Sequence, residues 1–157
     1  MAASRSTTKF HFEAESVMHG EIWRSIPSLP EYLASSEGRI MRLPYIGDMP
    51  KGGERHRGGT PHFGTWDKEE GRFVFVFRGK TYRIGRLICE AFHGPASIRT
   101  PVCMHLDENA ANNRASNLCW GTQKENLNMP KVKEYHRSRT GENNPYVKGL
   151  KARKVSP

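Results

Sequence analysis

His105, Asn117 and Asn126 are the side chains whose types and spacing could do chemistry together. All three fall between Val102 and Asn126. A short apolar run carrying His105 comes first, then a turn-rich decapeptide, Asp107 to Ser116, with three asparagines, then a second short run from Asn117 to Trp120. Histidine titrates near neutrality and can take a proton at cellular pH. An asparagine amide donates and accepts at once, so it can aim such a base. A further asparagine offers a hard carbonyl oxygen suited to Mg²⁺, an ion that keeps much of its coordination for water and substrate phosphate. A base, an orienter and a cation ligand are together what hydrolysis of a phosphodiester requires.

The elements that must position them follow from the same stretch. Gly121 is read as ending the second strand, and Thr122-Gln-Lys-Glu125 has the form of a capping box, so a helix should start at Thr122 and run until Pro130 stops it. The expectation is strand, loop, strand, helix. His105 then lies on one strand, Asn117 opens the other, and Asn126 sits on the second turn of the helix.

Residues 102–126 resemble the HNH nuclease motif, a ββα-metal module, in the version found in phage and intron homing endonucleases. The resemblance rests on His105, Asn112-Asn113, Asn117-Leu118-x-Trp120-Gly121-Thr122 and Glu125-Asn126. It implies that His105 is the general base, that Asn117 braces the loop and the histidine, and that Asn126 binds the metal, Mg²⁺ or Mn²⁺. Upstream, Glu21-x-Trp23-x-x-Ile26, Tyr32, Ser35 and Gly38-Arg39-Ile40-x-Arg42 are similar to the small NUMOD4-like module that often precedes this nuclease domain. Tyr82-x-Ile84-x-Arg86-Leu87-Ile88-x-x-Ala91-Phe92-x-Gly94-Pro95 is similar to the segment leading into the motif. Two positions depart from the pattern. Met104 stands where many relatives have an Asp or His as a second metal ligand, and a thioether is poorly matched to Mg²⁺. Either the metal is held by Asn126 with the scissile phosphate and water, or this copy is weakened. Asp107 could lend an oxygen or form an Asx turn. Gly85 stands where the family often has His.

The chain has 25 Lys and Arg against 16 acidic residues, a formal net charge of +9, which favours a polyanionic partner. At 157 residues it can hold one ordinary domain or two small modules. No run approaches the roughly 18 apolar residues of a membrane span, and the first residues lack the apolar core of a signal peptide. A soluble, cytoplasmic protein is expected. Cys89, Cys103 and Cys119 show no Cys-x-x-Cys spacing and sit in apolar contexts that suit small buried thiols. A structural zinc is therefore not expected, although Cys103 and Cys119 could approach across the hairpin.

The fold expected is α+β, a small strand-rich N-terminal module followed by the ββα-metal motif and an extended basic tail. A flexible arm covers 1–20. A module at 21–43 has Trp23, Ile26, Tyr32 and Ile40 as its core. A Gly-rich linker spans 44–71, its Arg55, His56 and Arg57 either tracking a phosphate backbone or simply connecting. The nuclease domain covers 72–130, with the ββα core at 102–129. Its first part is a strand of alternating Phe and Val (Phe73 to Phe77), apolar on both sides and expected to be buried on both or to lie with Val74 and Val76 under the linker. A turn at Arg78-Gly79-Lys80 and a helix from Gly85 to His93 complete it. The tail covers 131–157, with eight basic and two acidic residues, and should lie along DNA or remain without defined contact.

The leading function is a metal-dependent HNH endonuclease of the homing type, acting on double-stranded DNA, with a monomer favoured. Candidate DNA contacts are Arg39, Arg42, Arg55, Arg57, Arg86, Arg114, Lys124, Lys131, Lys133, Arg137 and Arg139. Two other classes stand beside it. One is a DNA-binding protein of the same fold whose catalysis is weakened, and the other is an RNA-binding or structural accessory protein.

Overall fold

The computed structural model describes residues 15–18, 20–50, 52–140 and 144. It is α+β, with four small antiparallel sheets and three helices among the described residues. Strands β1 (Glu15–Met18), β2 (Glu21–Ser25), β3 (Tyr32–Ser35) and β4 (Ile40–Arg42) form a meander in chain order. Of the arm expected over 1–20, residues 15–18 are thus paired, Glu15 opposite Arg24 and Met18 opposite Glu21. Phe10 and Phe12 lie outside the described residues.

The expected linker contains structure. Strands β5 (Tyr45–Asp48) and β6 (Glu54–Arg57) form an exposed ribbon, and β7 (Thr65–Asp67) joins the next sheet. Gly47 sits within β5 opposite Arg55, while Gly52 and Gly53 make the turn, where Met49 N–H donates to the Gly53 carbonyl at 3.0 Å. Cross-strand pairs Tyr45 with Arg57 and Ile46 with His56 supply what composition alone did not suggest. Arg42 lies 4.0 Å over the Tyr45 ring and donates to its hydroxyl at 2.8 Å, tying the ribbon to the first sheet.

Strands β8 (Arg72–Phe77) and β9 (Lys80–Arg83) are joined by the two-residue turn Arg78-Gly79, both with positive φ, which matches strand twist. Phe75 is buried and Phe73 and Phe77 pack beside it, but Val76 is 67% exposed, so the outer face of β8 is not covered along its length. Helix α1 (Ile84–His93) follows, its Ile84, Leu87, Ile88 and Cys89 buried on one stripe. One continuous core joins the first sheet to this helix and the motif: Ile26, Tyr32, Ala34 and Ile40 meet Phe75, Ile84, Leu87, Ile88, Ala115 and Leu118. The segments 21–43 and 72–130 share apolar packing across the ribbon between them. Trp23, Leu33 and Met41 form a small satellite core.

The motif itself is β10 (Val102–His105), a 3₁₀ turn (Ala115–Asn117), β11 (Leu118–Gly121) and α2 (Gln123–Leu127). Gly121 is the last residue of β11 and pairs opposite Val102. A Cβ there would collide with the Met104 side chain, so the glycine makes room for that thioether. Where the extended tail was expected, residues 130–138 form helix α3 (Pro130–Ser138). α2 stops at Leu127, short of the expected limit at Pro130, and Pro130 instead begins α3, where its fixed φ suits a first helical position. The Glu108 carboxylate accepts from the Lys131 N–H at 2.8 Å and the Val132 N–H at 3.3 Å, capping donors that the helix cannot satisfy itself. The rest of that tail, apart from Arg139, Thr140 and Asn144, lies outside the described residues.

Candidate active site

The loop between β10 and β11 is knotted by short polar side chains. Asp107 accepts from the Asn109 N–H at 2.8 Å, an Asx turn, and from the Asn112 and Asn117 side-chain amides at 2.8 and 2.9 Å. Asn117 also donates to the Asn112 carbonyl at 2.8 Å and accepts from the Asp107 N–H at 3.1 Å. The Asn112 amide first, then the Asn109 N–H and the Asn117 amide, hold the exposed Asp107 carboxyl down to about 2. Asp107 is thus occupied as the knot of the loop.

This knot presents His105 at the end of β10. His105 Nε2 lies 3.0 Å from the carboxamide oxygen of Asn113, which is only 5% exposed. Sequence reasoning gave the bracing of both loop and histidine to Asn117. The structure gives Asn117 the loop and places Asn113 on the ring. Asn113 was visible as half of the Asn112-Asn113 pair, but nothing in the spacing distinguishes the amide that faces the ring from those that tie the loop.

Asn126 reaches the same place from the other side. The α2 N-terminus is fixed by a reciprocal capping box, in which the Thr122 side chain accepts from the Glu125 N–H at 3.1 Å and the Thr122 N–H donates to Glu125 at 2.7 Å. One turn later, half-buried Asn126 lines a cleft of about 490 Å³ together with His105, Met104 and Asn113. Arg72, Arg83 and Arg86 also line the cleft, giving it a basic rim. Of the cleft's side chains, Asn126 would offer a divalent ion a hard carboxamide oxygen, whereas Met104 offers only a thioether. Among the described residues no group of three or more His, Cys, Asp and Glu converges as a metal cage.

Cys103 lines this cleft. Cys89 is buried, and its thiol donates to Cys103; that hydrogen bond and burial push Cys89 up.

The cationic candidates divide by what holds them. Arg39 is paired with Glu21 at 2.7 Å, Arg114 with Glu37 at 2.9 Å, and Arg86 donates to the Pro101 carbonyl at 2.7 Å while stacking 5.0 Å from Trp120. These three brace the protein. Arg42, Arg55, His56 and Arg57 line a second, shallower concavity along the ribbon. Lys124 on α2, and Lys131, Lys133 and Arg137 on α3, are exposed beside the motif. Lys131 Nζ donates to the Asp107 carbonyl at 3.0 Å, and Arg139 to the Tyr135 hydroxyl at 2.7 Å.

Compared with known proteins, residues 82–128 match the family model described as HNH endonuclease. A solved structure described as DNA binding and cleavage by the HNH homing endonuclease I-HmuI is similar over 74% of this chain and 67% of that chain, at 21% identity and a TM-score of 0.42. No curated protein matches the chain.

Proposed function

Because residues 82–128 match the HNH endonuclease family, we propose that this protein is a metal-dependent endonuclease hydrolysing phosphodiester bonds of double-stranded DNA. One observation carries the reading: His105 and Asn126, 21 positions apart and on different elements, line a single cleft with an arginine rim. Neutral His105 takes a proton from water as that water attacks phosphorus and the P–O3′ bond breaks, the departing 3′ oxygen taking a proton from solvent. Asn126 would hold Mg²⁺ or Mn²⁺ through its carboxamide oxygen. The bound ion would neutralise charge that develops on the phosphate oxygens. Asn117 and Asp107 keep the loop in register, so the base is held ready for the attacking water without reorganisation. Arg42, Arg55, Arg57, Lys124, Lys131, Lys133, Arg137 and Arg139 contribute phosphate contacts that set register without reading sequence. Arg39, Arg86 and Arg114 serve mainly by holding the surfaces that carry them.

A supercoiled plasmid incubated with a Mg²⁺ or Mn²⁺ series tests this. His105→Ala should lower the nicking or cutting rate by about 10²- to 10⁴-fold while the gel shift of the same DNA is unchanged. Equal activity in the variant removes His105 from the mechanism. A second reading draws on Met104, which lines the cleft where the resembling motif often has an Asp or His. In that reading the protein binds DNA and cuts weakly or not at all, and a gel shift with no relaxed or linear product in wild type would select it.

A further inference from the structure

We propose that Asn113 is the positioning residue for His105, holding the proton on Nε2 so that Nδ1 is the ring nitrogen free to act as base. This rests on the nuclease reading above and deepens it. A neutral imidazole carries one N–H, and which nitrogen bears it is set by the partner of the other. Nε2 faces the Asn113 oxygen at 3.0 Å. A carboxamide oxygen only accepts, so Nε2 must donate. Nε2 is also the nitrogen packed toward α1: a Cβ built on Gly85 would stand 3.4 Å from it. The nitrogen left to meet a water in the cleft is Nδ1, and it is a base only when the proton resides on Nε2.

Two glycines from distant segments keep that carboxamide in place. At Gly85 on α1 a Cβ would come within 2.7 Å of Asn113 Oδ1, closer than real Cβ contacts allow. At Gly38, whose φ of +91° already disfavours a side chain, a Cβ would come within 3.0 Å of the Asn113 carbonyl carbon. Asn113 is therefore wedged between the β3–β4 turn and the start of α1, and its amide has one place to go. The same contact gives a reason for Gly85, the departure from the family pattern that spacing could not explain. Any side chain there would push the amide off the ring.

Long-range ¹H–¹⁵N correlation on the full, uniformly ¹⁵N-labelled chain, at a pH where His105 is neutral, reads the tautomer directly. The Nε2–H form is expected in wild type. Asn113→Ala should show mixed tautomers and lower kcat for plasmid nicking by about 10- to 100-fold, the size of effect seen when the partner that orients a metal-ligating histidine is removed, with KM for the plasmid unchanged. Asn113→Asp retains an acceptor and should retain the Nε2–H form. Gly85→Ala leaves Asn113 in the chain and should reproduce the Asn113→Ala phenotype, which covers the case in which the Asn113 variant fails to fold. An Nδ1–H tautomer in wild type, or wild-type kcat in both Asn113→Ala and Gly85→Ala, overturns the proposal. Unchanged cutting by His105→Ala alongside an Nε2–H wild type would instead overturn the base assignment, leaving the pairing as a structural contact without a catalytic role.

Discussion

Asp107 carries no proposed chemistry, yet the position of His105 depends on it. Its carboxyl is held down to about 2, chiefly by the Asn112 amide, then by the Asn109 N–H and the Asn117 amide. A carboxyl depressed on folding stabilises the native state above its ordinary value near 3.8, and that contribution is lost as pH falls toward 2. A ¹³C titration of the Asp107 carboxyl should therefore show a midpoint near 2 in wild type and an upward shift in Asn112→Ala. A wild-type midpoint at the ordinary value would mean the knot is not formed in solution. At this scale the sequence told His105 and Asn126 apart from the background, because family spacing marks them. It did not assign Asn113, since three asparagines in one loop are chemically alike until the course of the backbone says which amide meets the ring. The same blindness covers Gly85, where the meaning lies in what a missing Cβ permits.

Helix α2 is the element whose failure would be felt at once, because five residues cannot sustain a helix by propensity alone. Its capping box and the turn that follows fix the direction of Asn126. Thr122→Ala should cost about 1 kcal/mol of stability in urea unfolding and raise the Mg²⁺ concentration needed for half-maximal nicking. A variant with unchanged unfolding would show that the cap seen here adds nothing. The capping box, the α1 stripe and the β8–β9 hairpin were legible because each writes a local periodic or capping signal. The ribbon at 45–57 and helix α3 were not. In the ribbon, dense glycine disguised two short strands whose stability comes from cross-strand pairs and from Arg42 on Tyr45. In α3, the cap is Glu108, more than twenty residues upstream, which no local window can find.

Over the whole molecule, the first sheet and the β10–β11–α2 motif answer to one core. Ile40 is fully buried and belongs to the same cluster as Ile84, Ile88 and Leu118, although it lies far outside the family match at 82–128. Ile40→Ala should cost about 2–5 kcal/mol and lower a single unfolding transition seen equally by near-UV signals from Trp23 and from Trp120. Two separated transitions would show that the halves fold apart. The sequence suggested two modules because punctuation at 44–71 resembles a boundary; burial, which sequence does not display, runs straight past it.

That shared interior limits which parts of the chain can be exchanged. A graft that kept 72–138 and exchanged the front end would leave the apolar side of α1 facing water, unless the incoming piece rebuilt the wall made by Ile26, Tyr32 and Ile40. Substitutions along 54–57, where every side chain points to solvent, carry no such burden. The ribbon surface can therefore be altered one exposed residue at a time, whereas exchanging the front end as a cassette breaks the core.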